Sequence, residues 1–167
     1  MKNVLSLFVL FLLFTNIATS QSAVVKTSPI GLAFGNFNVT YEKVLNSSSS
    51  ALVSANYIYK LFGIKVGTFG LGAGYRYYIT HAKKDVPKGF YIQPQVGFSI
   101  GNADDFKYNS ISFGAEIGYQ WVWTSGFSLD LGIGPSYTNY GGDFDSIGFD
   151  GGSGILPTGT LAIGFAF

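Results

Sequence analysis

The chain has no cysteine among its 167 residues, and that absence removes several chemistries at once. No disulfide framework, thiolate metal site or cysteine nucleophile is available. Histidine is nearly absent too, with His81 the one example. Charge is scarce: 11% of residues are Asp, Glu, Lys or Arg, where soluble domains carry about 25%. The net charge of +1 leaves no basic footprint for a nucleic acid. Long apolar runs are missing after the N-terminal segment, so none reaches the ~18 residues of a spanning helix. So few charges would cover a water-facing surface poorly, whereas glycine (23 residues) and aromatics (17%) are plentiful. That balance suits a chain whose outside meets lipid.

The first twenty residues read as a secretory signal peptide. Lys2 supplies a positive start, Val4 to Phe14 ("VLSLFVLFLLF") an apolar run, and "ATS" before Gln21 a cleavage site. A retained anchor helix is the rival reading. No cysteine follows the cleavage site, which excludes a lipoprotein. Residues 21–167 are then one domain, long enough for a real core.

That domain reads as strands separated by turn signals, with no convincing helical period. The clearest strands are 68–79, 89–100, 109–122, 127–137 and 156–167. Weaker ones at 37–45 and 51–59 flank "NSSSS", and 25–33 supplies an eighth, compromised by Pro29. Side chains alternate with period two along a strand. In "FGAEIGYQW" (113–121), Phe113, Ala115, Ile117, Tyr119 and Trp121 therefore face one way, and Gly114, Glu116, Gly118 and Gln120 the other. In 68–79, Phe69, Leu71, Ala73, Tyr75 and Tyr77 oppose Gly70, Gly72, Gly74, Arg76 and Tyr78. Eight strands enclose an interior just wide enough for side chains to fill it. The small and polar face suits that lumen and the bulky face suits hydrocarbon. The expected fold is all-β, an eight-stranded antiparallel up-and-down transmembrane β-barrel in the cell outer membrane.

Connection lengths set a direction. Short turns at "NSSSS", 80–88 and 123–126 would be periplasmic, and 34–36, 60–67, 101–108 and 138–155 would face outward. Tyr77, Trp121, Trp123 and Phe167 would form the periplasmic aromatic girdle, with Tyr57, Tyr59, Tyr108 and Tyr137 nearer the opposite rim. The terminal "LAIGFAF", an alternating strand ending in Phe167, resembles the signal that bacterial barrel-assembly machinery recognises.

The stretches "KTSP" (26–29), "NFNVTYEKVL" (36–45), "YRYYI" (75–79) and "KGFYIQP" (88–94) together resemble a family of small outer-membrane barrels of Gram-negative bacteria, of unknown function and OmpA/OmpX-like in size. Ser28 stands where that family prefers Asn. The resemblance implies fold and location and no activity.

Four charges fall on the lumen face: Glu42, Arg76, Glu116 and Asp130. Charges in a low-dielectric interior are costly unless paired, so an ionic cluster in which Arg76 bridges carboxylates is expected. Glu42, Arg76 and Asp130 should lie in the periplasmic half, with Glu116 nearer mid-depth. Separate hydration of each group is the alternative. Paired-carboxylate hydrolysis needs a cleft for a sugar, which a narrow lumen does not offer. A lipid-modifying enzyme would use a histidine near the outer leaflet, whereas His81 ("THAKKD") falls in a periplasmic turn. Lys83, Lys84 and Lys88 in the same region read as a solvated charge run, or as a lipopolysaccharide contact if the direction is reversed. In "TNYGGDFDSIGFDGGSG", Asp143, Asp145 and Asp150 offer oxygen ligands for calcium. An EF-hand register from Asp143 fails, with Ile147 at a ligand position and Gly154 where Glu is needed.

The sequence thus points to no enzyme and no cofactor. It points to a structural or interaction protein whose partners are outer-membrane lipid, the assembly machinery and an unspecified external ligand. A narrow pore and a soluble, lipocalin-like binder of a lipophilic ligand stand as alternatives.

Overall fold

A computed structural model describes residues 22–61, 64–80, 88–103, 106–142 and 152–167. Eight antiparallel strands close on themselves in sequence order: β1 (Ala23–Thr27), β2 (Asn36–Asn46), β3 (Ser49–Leu61), β4 (Ile64–Tyr78), β5 (Gly89–Ala103), β6 (Phe106–Val122), β7 (Phe127–Gly142) and β8 (Ser153–Ala166). β1 closes the sheet against β8, with Val24 opposite Ala166 and Lys26 opposite Gly164. Closure leaves no strand without a partner on either side, although the short β1 pairs only residues 40–43 of β2 and 163–166 of β8.

The first strand is shorter than the expected 25–33. It ends at Thr27, and a five-residue helix, α1 (Pro29–Ala33), follows. The cause is local. Pro29 lacks the N–H that a ladder requires and its fixed φ suits the first helical position. Ser28 caps the helix, its Oγ accepting from the Gly31 N–H at 3.0 Å. α1 lies against β2 and β8, the two neighbours of β1, where β1 has ended.

The connections expected to face outward are also shorter than 60–67, 101–108 and 138–155. β3 runs to Leu61, β4 starts at Ile64, β5 and β6 reach Ala103 and Phe106, and β7 ends at Gly142. Polar residues that read as loop, such as Asn102 and Asn139, pair within the ladders with Lys107 and Ser153. In a closed barrel the ladder is continued by backbone, so strand ends need no apolar alternation. At the opposite end two connections, β2–β3 and β6–β7, are tight turns. Gly126 adopts φ +88° in the β6–β7 turn, a left-handed conformation that glycine takes without a Cβ clash.

The two faces alternate as the period-two pattern requires. On β4, Phe69, Leu71, Tyr75 and Tyr77 point outward and exposed, while Arg76 and Tyr78 are buried inside. The interior is charged and polar: Lys26, Glu42, Arg76, Glu116, Gln120 and Asp130 are all at most 2% exposed. At the end nearest Ser22 and Phe167, Val24, Val122 and Ala166 form a small apolar cluster beneath them.

Candidate functional site in the barrel lumen

The lumen holds a two-cation, two-anion cluster assembled from seven strands. Lys26 of β1 sits at its centre. Its ammonium donates to Glu42 Oε2 (2.5 Å), Gln120 Oε1 (2.7 Å) and Asp130 Oδ2 (2.6 Å). An ammonium has three protons, so Lys26 is saturated. Arg76 of β4 donates through one terminal nitrogen to Asp130 Oδ2 and Gln120 Oε1, both at 2.8 Å, with Glu42 Oε2 at 3.4 Å. Its Nε donates to Gln93 Oε1 of β5 at 2.8 Å. The guanidinium carbon lies 3.7 Å from the Tyr91 ring centroid, within cation–π range.

The carboxylates are equally satisfied. Glu42 Oε1 accepts from the Tyr78 hydroxyl at 2.6 Å and from Ser50 of β3. Asp130 Oδ1 accepts from the Tyr91 hydroxyl at 2.8 Å. Removing charges from water is costly, and the cost is offset only where geometry is good and remaining lone pairs are filled. Both conditions hold here. β8 contributes no polar group to the cluster, only space. A Cβ at Gly164 would clash with the Val25 carbonyl oxygen and lie 2.7 Å from Lys26 Cγ, so glycine is what lets the lysine stem pass.

Glu116 stands apart. Its carboxylate accepts from Thr160 (2.7 Å), Thr158 (3.0 Å) and Gln95 (3.2 Å), all neutral donors. It borders a cavity of about 770 Å³ that runs from the Lys26–Arg76–Asp130 floor to α1, lined chiefly by amides, hydroxyls and glycines.

The structure therefore brings Glu42, Arg76 and Asp130 together and leaves Glu116 outside their cluster. Lys26, which makes two of the four ion pairs, is not among the four charges expected in the lumen, and neither are the partners Tyr91, Gln93 and Gln95. A signal for it exists in the chain: Lys26 lies between Val25 and Thr27 on a strand whose alternate residues face inward. Extending that strand through Pro29 obscures it.

On the outer face, Tyr77, Trp121 and Trp123 are exposed near the tight-turn end. Aromatic contacts collect there: Phe90 with Tyr119 at 4.7 Å, Tyr119 with Trp121 at 4.4 Å, Trp123 with Phe127 at 5.3 Å. Phe167 joins the closing seam, its backbone oxygen accepting from Ser22 and Ala23. Tyr57, Tyr59 and Tyr137 are exposed, but Tyr108 corrects the expected rim. Its hydroxyl meets the buried Thr68 hydroxyl, because residue 108 shares the inward parity of Ser110 and Ser112. Asp143, Asp145 and Asp150, like His81, Lys83 and Lys84, lie outside the described residues, and Lys88 lies just before β5. Among the described residues no group of His, Cys, Asp or Glu side chains is arranged to hold a metal.

The interior is charged and the exterior apolar, the reverse of a water-soluble ligand-binding barrel, so the lipocalin-like alternative falls with its apolar pocket. The molecule is a closed, inside-out β-barrel with a polar, ion-paired lumen. It belongs to the family described as proteins of unknown function DUF3575, whose pattern matches residues 5–144. No curated protein matches it. Among solved structures it is similar to the backbone structure of the Yersinia pestis outer membrane protein Ail in a phospholipid bilayer nanodisc. There the TM-score is 0.49 and the identity 15%, over 87% of this chain and 99% of that one.

Proposed function

We propose that this is an outer-membrane β-barrel with a structural or interaction role, its lumen closed to bulk solute at the tight-turn end and its other connections displayed at the cell surface. One observation carries the reading: large apolar side chains stand exposed all round the outside while Lys26, Glu42, Arg76, Glu116 and Asp130 lie buried within. A water-soluble protein rarely exposes a contiguous apolar patch beyond a few hundred Å². In hydrocarbon such a surface is the solvated one, and aromatic side chains gather at the interface. Residues 1–20 would be removed on export, and the Phe167-ended strand would engage the assembly machinery.

Two measurements test it. The outer-membrane fraction, run on a gel with and without boiling, should show a band that shifts on heating. An unshifted band in the soluble periplasm would overturn the location. In planar bilayers the folded protein should pass no steady current, because Lys26, Arg76 and the Val24–Val122–Ala166 cluster obstruct the lumen below the cavity. Stable open-channel conductance would establish the narrow-pore alternative instead.

A further inference from the structure

The charges of the ion-pair cluster cancel, two against two, but Glu116 adds a carboxylate with no cation bonded to it among the described residues. It is 2% exposed and borders the 770 Å³ cavity. Three neutral donors hold its two oxygens, which have about four acceptor sites between them. A second acceptor lining the same cavity, from β2 on the opposite side, is unfilled: Asn36 Oδ1 is buried with no hydrogen-bond partner. An isolated buried charge is expensive. The cavity therefore presents one uncompensated negative group, one vacant acceptor, and neutral amides and hydroxyls from Asn38, Ser54 and Asn56.

We propose that this chamber binds a polyhydroxylated primary amine of the amino-sugar class, its ammonium on Glu116 and its hydroxyls on the asparagine and serine wall. The chemistry selects among ligands. An anion would meet Glu116, while on the floor Lys26 has all three protons on Glu42, Asp130 and Gln120, and Arg76 is held by Gln93, Gln120 and Asp130 through Nε and one terminal nitrogen. An apolar molecule would strand the amides. A bare divalent ion wants six or more oxygens, and the threonine hydroxyls here spend their protons on the carboxylate. The volume lies within the range of small-molecule sites. The proposal needs only the folded barrel, so it stands or falls separately from the membrane location.

The test is calorimetric titration of the folded, detergent-solubilised protein with glucosamine, and with N-acetylglucosamine, which keeps the hydroxyls and lacks the ammonium. Glucosamine should bind and the acetylated sugar should bind at least about tenfold more weakly. Glu116→Gln keeps the volume and should abolish that preference. Gly74→Leu is the second variant, because a Cβ at Gly74 meets nothing closer than 3.4 Å while the side chain enters the chamber. It should lower affinity for glucosamine even if Glu116→Gln does not fold. No heat with glucosamine, equal binding of the two sugars, or wild-type binding by either folded variant would overturn the proposal. Displacement of glucosamine by equimolar magnesium chloride would do the same in favour of an inorganic cation.

Discussion

Arg76 and Glu116 do not touch, yet an unbroken line of side-chain hydrogen bonds joins them. Arg76 Nε donates to Gln93 Oε1 at 2.8 Å, Gln93 Nε2 donates to Gln95 Oε1 at 2.8 Å, and Gln95 Nε2 donates to Glu116 Oε1 at 3.2 Å. Every link points the same way, from the cation to the carboxylate. The two glutamines lie at successive inward positions of β5, so the strand's own period sets the spacing.

Cutting that line should be felt at both ends. Gln93→Leu conserves bulk but leaves the Arg76 Nε–H and the Gln95 carbonyl without partners in a buried site. The expected loss is about 1–3 kcal/mol. A urea titration followed by Trp121 and Trp123 fluorescence reads it directly, and an unchanged midpoint would show the line to be ornamental.

Lys26→Met should be more damaging. It removes the charge that balances Glu42 and Asp130 and leaves a net negative cluster, at a cost of about 3–5 kcal/mol. Adding Glu42→Gln restores neutrality, since Arg76 and Asp130 remain paired at 2.8 Å. The double variant should unfold at higher urea than Lys26→Met alone. Strict additivity of the two losses would mean that charge balance is not what holds the cluster.

Gly164→Val should block closure. Its first added atom would fall against the Val25 carbonyl oxygen, in the β1–β8 seam. Gly154→Ala is the matched control, because nothing lies within 4 Å of a Cβ there. The first variant should lose the heat-shifted gel band and the second should keep it.

If the exterior faces hydrocarbon, Ile133→Lys should cost about 2–4 kcal/mol in lipid vesicles. Ser125→Lys, in the exposed β6–β7 turn, should cost almost nothing. Equal tolerance of both, measured by denaturant midpoint in the same vesicles, would argue against a membrane-facing wall.

Much of this fold is legible in residue parity. Ile111, Phe113 and Ile117 against Ser112, Gly114 and Glu116 declare an outside and an inside by alternation alone, because one face must meet a different solvent from the other. Partnership inside the lumen is less legible. Glu42, Arg76 and Asp130 meet from β2, β4 and β7, and which of the inward charges share a level depends on strand tilt and register. Glu116 has the same parity as Gln120, four residues on, yet Gln120 lies in the cluster and Glu116 in the cavity wall. Alternation gives a side, not a height. Lys26 is hidden for a different reason: a proline-started helix cuts its strand to five residues, too few for a pattern to stand out.

The cluster draws a side chain from each of β1 to β7, and its central lysine comes from the first of them. In a sheet that has not yet joined its two ends, Lys26 can already reach Glu42 on neighbouring β2, but Asp130 of β7, 104 positions later, lies across the open seam. The second of the lysine's two ion pairs, with Asp130, therefore forms only when the ring shuts. β8 brings nothing but Ala162, Gly164 and Ala166 to the inner face at this level, so the last strand can slide into register without displacing a side chain or breaking an ion pair. The centre of the molecule thus acts as a latch on its own assembly: a ring that is almost shut leaves Asp130 without its lysine, and a finished one joins them.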